Sequence, residues 1–230
     1  MNSSDDRRGT PGPTVAAGGN MAGPDQALDH YKTLVGQIEI ALPQQGCRVI
    51  MLSGSAPGEG TTEITIGLGL ALASAMGRKT AIIDSNLRHP DLHARFGTSE
   101  VGLGEYLNRE VALDKALANT IVPNLYIMPA GRSLESLAAV SKDEIASFIA
   151  ELREKFEYVL IDAAPVGTYP DWAVLCDKVD SVILVVKHGA TRREVVKRTK
   201  DIITRAGGKI LGVVLNRRRF PIPDFLYRRL

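Results

Sequence analysis

The apolar run Cys47-Arg48-Val49-Ile50-Met51-Leu52 leads into Ser53-Gly54-Ser55-Ala56-Pro57-Gly58-Glu59-Gly60-Thr61-Thr62 and then into the Gly/Ala/Leu-rich stretch Ile64–Met76, and this succession constrains the fold more than any other part of the chain. The short run predicts a buried strand and the longer stretch a helix, so the glycines fall at a strand-to-helix turn. In that setting successive backbone N–H groups and a helix N-terminus can cradle a phosphate chain. Gly58 and Gly60 supply the backbone freedom that such a turn needs. The alignment that matches a phosphate-binding loop best is Ser55-x-x-x-x-Gly60-Thr61-Thr62, with Pro57, Gly58 and Glu59 inside the loop. Thr62 takes the hydroxyl position that would hold Mg²⁺, and Thr61 stands where the loop's lysine is expected. An ordinary glycine turn between strand and helix is the competing reading.

Two further apolar runs end in an acid: Thr80-Ala81-Ile82-Ile83-Asp84 and Tyr158-Val159-Leu160-Ile161-Asp162. Open α/β sheets keep their ligand crevice at the carboxyl ends of the strands, so both acids are placed to face the loop's phosphates and metal. Each alone could equally be a helix N-cap. Together with the loop they favour a nucleotide site.

The rest of the chain alternates helical and strand patterns. Gln26–Leu42 carries Leu28, Tyr31, Leu34, Ile38 and Leu42 at spacings of three and four, an amphipathic helix. From Asp91 to Leu125 short helical segments, Gly102–Leu107 and Leu113–Ala118 among them, alternate with turns, and Leu125–Met128 is a short strand. Asp143–Phe156 is helical, with Ser141 or Lys142 near its start and Ile145, Phe148, Ile149 and Leu152 on one face. Asp171 is expected to cap a helix through Cys176. Ser181–Lys187 is a buried strand, Arg192–Arg205 a charged helix and Ile210–Leu215 the last strand, ended by Asn216. Such alternation predicts an α/β protein of three layers, a mostly parallel sheet with helices on both faces.

On these motifs the chain resembles the bacterial tyrosine kinases of exopolysaccharide and capsule synthesis, which have a P-loop NTPase fold. Ala81–Pro90 looks like their second Walker motif, a strand followed by Asp-x-Asp-x-Arg-x-Pro, Val159–Val166 is similar to their Walker B strand, and Ser181–Arg193 and Gly212–Arg217 match later strands. The resemblance runs from about Tyr31 to Asn216. It implies ATP or ADP and Mg²⁺ as ligands, with Ser55, Pro57, Gly58, Glu59, Gly60, Thr61 and Thr62 around the phosphates, Asn216 against the adenine, Thr62, Asp84 and Asp162 at the metal, and Asp84, Asp162 and Arg88 in catalysis. For Asn216 a strand-ending turn is the other reading.

Four departures from the family pattern bear on activity. Thr61 replaces the Walker lysine, and Asn86 replaces the second acid of Asp-x-Asp. The subunit-contact pattern Glu-x-x-Arg-x-x-Arg is reduced to Asp29-x-x-Lys32-x-x-Val35, and after Asn216 only Tyr227 remains of the tyrosine-rich tail. A further departure bears on surface contacts rather than on activity: the Pro-Asn-Pro-x-Glu that commonly follows Pro129-Ala130-Gly131 is replaced by Arg132–Ser136. Phosphoryl transfer depends on positioning and on cations that neutralise the transferred group. Loss of one preorganised donor of this kind costs about 3–4 kcal/mol in the transition state, roughly 10²–10³ in rate, while binding through loop N–H groups and the helix dipole suffers less. Arg78 and Lys79 end the following helix, about 24 Å from Thr62, and Arg48 begins the preceding strand, about 15–20 Å from the loop. Arg88 is the nearby candidate for a substitute cation, apart from one supplied by a neighbouring subunit.

The leading expectation is a nucleotide-binding regulatory protein of exopolysaccharide synthesis with weak or absent kinase activity. It would act with a membrane polysaccharide co-polymerase, the chain-length regulator. An active tyrosine autokinase and a Min/Par-type partitioning ATPase are the alternatives, although the latter needs a signature lysine early in the loop, which Ser55-Ala56-Pro57 lacks. The chain divides into an arm, residues 1–25, expected to be disordered from its Gly, Pro, Ser and Asp content; a nucleotide-binding domain, 26–219; and a basic, aromatic tail, 220–230. A chain of 230 residues with 44% hydrophobic content can bury one sizeable core. Its net charge of +2 gives no signature of a nucleic-acid partner. Cys47 and Cys176 show no metal or redox spacing and read as small core residues of a cytoplasmic protein, and Trp172 and the four histidines read as structural or surface residues. The arm has no apolar signal core, and no segment reaches the ~18 apolar residues of a membrane span. For the first helix, packing on its own domain and a homo-oligomeric contact both stand; for the tail, a solvated end stands beside peripheral docking to the anionic inner membrane surface or to a membrane partner.

Overall fold

Six segments rich in β-branched and aliphatic residues line up side by side with the two-residue strand Ala118–Asn119, and an eighth strand comes from an unexpected place. The computed structural model describes residues 14–16, 24–42 and 45–217, and all structural statements concern these. The strands are β1 (Thr14–Ala16), β2 (Arg48–Gly54), β3 (Thr80–Asp84), β4 (Ala118–Asn119), β5 (Leu125–Met128), β6 (Tyr158–Asp162), β7 (Ser181–Lys187) and β8 (Ile210–Asn216). Their order is β1-β8-β7-β2-β6-β3-β5-β4, parallel throughout except for the β4–β5 pair. The helices are α1 (Pro24–Ala41), α2 (Thr61–Leu70), α3 (Leu92–Phe96), α4 (Leu103–Leu107), α5 (Leu113–Ala116), α6 (Lys142–Lys155), α7 (Ala173–Cys176) and α8 (Arg193–Arg205). A π-turn at Ala71–Ala75 extends α2.

Strand alternation sends successive side chains into opposite layers. Val49, Met51, Ala81, Ile83, Val159 and Ile161 pack with α4, α6 and α7, whereas Ile50, Leu52, Ile82 and Leu160 pack with α1 and α2. The three-layer expectation is met. α6 begins at Ser141, whose hydroxyl accepts from the Glu144 N–H while the Glu144 carboxylate accepts from the Ser141 N–H.

Two local expectations change, and one of two readings left open for α1 is met. Thr14–Ala16 lies within the arm expected to be disordered, yet it pairs in parallel with Val213–Leu215; the outer edge of β8 offers unpaired backbone groups that recruit a further strand. The remaining residues of the arm, and the tail from Arg218 onward, lie outside the described residues. Asp171 does not cap α7, whose N-cap is Trp172; its carboxylate instead accepts from the Ser136 hydroxyl and the Leu137 N–H, both at 2.6 Å, and so caps the short turn Leu137–Ala139. Finally, α1 packs on its own domain. Leu34, Val35 and Ile38 are buried in the α1/α2 layer, and the Tyr31 ring lies so close to Gly67 that a Cβ there would come within 2.1 Å of it. Val35, the third position of the reduced contact pattern, is fully buried, while Asp29 and Lys32 pair with each other at 2.9 Å.

No helix among the described residues is long and apolar enough to cross a membrane. Cys176 is buried and Cys47 half-buried, and burial pushes both thiols up to about 11, which keeps them protonated and unreactive. Trp172 is buried, its indole N–H donating to the Val166 carbonyl at 3.1 Å.

Candidate functional site

The carboxyl ends of β2, β6 and β3 lie side by side, and α2 starts directly beyond β2. Leu52 is in register with Asp162, and Asp162 with Asp84. The two acids predicted from widely separated segments are therefore neighbours on adjacent strands. Gly60 caps α2 in a left-handed conformation, φ 86°, with no room for a side chain: a Cβ would stand 2.2 Å from the Asn216 amide nitrogen.

The Thr62 hydroxyl donates to Asp162 Oδ2 at 2.6 Å, joining two of the three residues expected at the metal. Asp162 is buried, and burial pushes its carboxyl up to about 7, opposed by the Thr62 hydrogen bond and reinforced by the charges of Asp84 and Asp91. Asp84 is placed differently. Its Oδ2 accepts from the Asp91 and Leu92 N–H groups and its Oδ1 from the Asn86 N–H, so its carboxylate shapes the turn leading into α3. Burial raises its pKa, against the pull of those three N–H groups. Its carboxylate braces this turn, although the N-cap of α3 itself is Asp91, and it does not line the cleft described below.

Glu59 lies inside the loop rather than on its rim. It is 3% exposed; Oε2 accepts from the Ser55 N–H and, at 3.1 Å, the Ala56 N–H, while the Thr191 hydroxyl donates to Oε1. The loop is thus braced from within by its own carboxylate and tied to the segment after β7. Asn216 ties it to β8: the amide donates to the Glu59 carbonyl at 2.9 Å, and Oδ1 accepts from the Arg217 N–H at 2.8 Å. The amide nitrogen of the residue expected against adenine thus holds the loop, while its oxygen fixes the turn that follows β8.

A cleft of about 350 Å³ is lined by Ala56–Glu63, Asn86, His89, Arg95, Asp162, Ala163, Pro165, Thr168, Tyr169 and Arg217. Thr61 lines it with a neutral hydroxyl and brings no charge in place of the missing cation. Arg88 does not reach the loop; it is exposed, its guanidinium 4.9 Å above the Tyr169 ring. The cations that line the cleft are Arg95, paired with Asp91, and Arg217, paired with Glu63. Sequence reasoning missed both, and Thr191 as well. Thr191 and Arg217 follow the carboxyl ends of β7 and β8, the edge where a doubly wound sheet keeps its ligands, and that position was the available signal. Arg48, Arg78 and Lys79 lie at the opposite edge, where Arg48 and Arg78 pair with Glu39.

The donor set fits a magnesium nucleotide. Mg²⁺ commonly keeps several waters and takes one or two protein oxygens with substrate phosphates, which Thr62 Oγ1 and the Asp162 carboxylate supply. Among the described residues no cluster of three or more His, Cys, Asp or Glu forms a closed metal cage. Two buried polar atoms beside the site, Ser55 Oγ and Asn86 Oδ1, have no hydrogen-bond partner, as in a site that completes its bonding with a ligand.

No family model matches the chain. It is 30% identical over 195 residues to the tyrosine-protein kinase CpsD of Streptococcus pneumoniae, covering 84% of this chain and 85% of that one. Among solved structures, the chimerical protein CapA2B2 superposes with a TM-score of 0.76 at 28% identity over 84% of this chain and 85% of that one. The septum site-determining protein MinD of Pyrococcus horikoshii, solved with Mg-ADP, gives 0.65 at 26% identity over 80% and 76%.

Proposed function

The chain belongs to the bacterial tyrosine-kinase family of exopolysaccharide and capsule biosynthesis, and from that premise we propose that it is a nucleotide-binding regulatory member whose phosphoryl transfer is slow or absent. The observation that carries the reading is a Thr62–Asp162 pair held at 2.6 Å in a fully braced loop whose cation position is Thr61. Binding draws on what remains: loop N–H groups, the N-terminus of α2, and the Thr62 and Asp162 oxygens. Mg²⁺, when bound, neutralises phosphate charge. Asp162 orients the Thr62 hydroxyl, and Asn216 and Glu59 hold the loop's backbone; nothing at position 61 replaces the charge that a lysine would bring to the transferred phosphate. The membrane polysaccharide co-polymerase remains the proposed partner, at the inner face of the cytoplasmic membrane.

The intact Thr62–Asp162 pair also supports the second reading, an autokinase that tolerates Thr61. Calorimetry with Mg-ADP and Mg-ATP, followed by a phosphotyrosine assay of wild type and Thr61→Lys, separates the two. Binding by the wild type with a rate about 10²–10³ below that of Thr61→Lys is expected. Wild-type turnover equal to that of Thr61→Lys and abolished in Asp162→Ala would establish the autokinase, and absence of any binding would remove the nucleotide role altogether.

A further inference from the structure

β8 ends at Asn216, and the next residue, Arg217, adopts a left-handed backbone, φ 56°, unusual for a side chain of its size. The Asn216 side chain fixes it there: one amide group accepts from the Arg217 N–H and donates to the Glu59 carbonyl, so the Arg217 backbone is tied to the phosphate loop through a single side chain. Its guanidinium bonds Glu63 Oε2 at 3.2 Å, and that same oxygen lies 3.0 Å from where a Cβ on Gly60 would stand. Arg217 therefore holds its charge beside the turn at Gly60, in the cleft that Thr61 lines without a charge.

Glu63 sits in the first turn of α2, where a negative charge is favoured by the helix N-terminus. It is a resident anion in a place suited to phosphate. The pair it makes is weak: the Arg217 and Glu63 side chains are 47% and 51% exposed, and exposed ion pairs of this kind contribute little. A nucleotide polyphosphate carries more charge than one carboxylate and offers pairs of oxygens that the planar guanidinium fork can engage bidentately.

We propose that Arg217 is the cation of the nucleotide site, exchanging Glu63 for the polyphosphate of the bound nucleotide and supplying from β8 the charge that Thr61 cannot supply from the loop. The proposal rests on the nucleotide-binding reading above. Glu63 then acts as a competitor for the same guanidinium, so the two residues affect affinity in opposite directions. Arg95, on the other wall, belongs with its partner Asp91 to the α3 turn rather than to the loop.

The test is titration calorimetry of the full chain with adenosine, Mg-ADP and Mg-ATP for wild type, Arg217→Gln, Glu63→Gln and the double variant. Circular dichroism checks the fold, which these exposed side chains leave intact. Arg217→Gln is expected to weaken Mg-ADP and Mg-ATP about tenfold or more, Glu63→Gln to tighten them severalfold, and adenosine to change less than twofold in both. The Glu63→Gln gain should shrink in the Arg217→Gln background. Wild-type binding that Arg217→Gln leaves within twofold overturns the inference while the nucleotide reading stands. An equal loss for adenosine and ATP also overturns it, since Arg217 would then act on the nucleoside. A wild type that binds no nucleotide overturns both.

Discussion

Two buried carboxylates sit at the rim of the same sheet and are driven in opposite directions by their surroundings. Glu105, in α4, is opposed by burial, but the Arg132 and Gly102 N–H groups and the Ser133 hydroxyl outweigh that penalty and hold its carboxyl down at about 2. The Ser133 N–H adds a further bond at 3.0 Å. Asp162 has the Thr62 hydroxyl as its close donor and two acids nearby, and is pushed up to about 7. A carboxylate that brings backbone donors together is a structural brace; one left short of donors and crowded by like charge is poised for a cation. The corner held by Glu105 is the segment where Arg132–Ser136 replaces the family's usual sequence, so the change there has been absorbed by a complete hydrogen-bond set.

The largest expected effect tests the brace. Glu105→Ala strands the Gly102, Arg132 and Ser133 donors in a buried corner, and should lower stability by about 4 kcal/mol in urea titration. A loss below 1 kcal/mol would mean that the corner repacks and that the contrast with Asp162 is not structural in origin.

Acid titration sharpens the same contrast. The folded carboxyl of Glu105 lies below its ordinary 4.5, so its contribution is present above pH 4.5 and is lost as pH falls toward 2. Wild type should therefore lose about 3 kcal/mol more than Glu105→Gln over that interval in chemical denaturation at stepped pH. Parallel stability curves for the two proteins would remove the brace.

The smallest effect has the opposite sign. Ionised Asp162 is disfavoured in the folded state, and that penalty is absent below the ordinary 3.8 and complete once pH exceeds about 7. Asp162→Asn keeps an acceptor for the Thr62 hydroxyl and discards the charge, so at pH 8 without metal it should gain about 2 kcal/mol while losing the stabilisation that Mg-ADP gives the wild type. Destabilisation by Asp162→Asn would show that the charge itself supports the fold.

Much of the site was legible from spacing. Strand, glycine loop and helix are local; Asp84 and Asp162 are found where apolar runs end and Thr62 where the next helix begins, because a parallel sheet gathers its carboxyl ends at one edge. The use of each side chain was less legible. Glu59 reads as a loop residue, yet its carboxylate turns inward toward Ser55, Ala56 and Thr191; Arg88 reads as the nearby cation, yet it stacks on Tyr169 while Arg217 and Arg95 face the cleft. Val35 reads as a lost contact charge and is a core residue.

The amino-acid sequence by itself determined the alternation of strand and helix, the position of the phosphate loop and the absence of its lysine, since these depend on residue type and short-range spacing. Tertiary structure alone decided which charges meet. Asn216 binds a loop carbonyl 157 positions away, Thr191 reaches Glu59 across 132, and Glu63 finds Arg217 across 154. Long-range partners are selected by sheet order and by burial, which make an unpaired polar group costly and leave each side chain to take whatever donor or acceptor the fold has brought within reach.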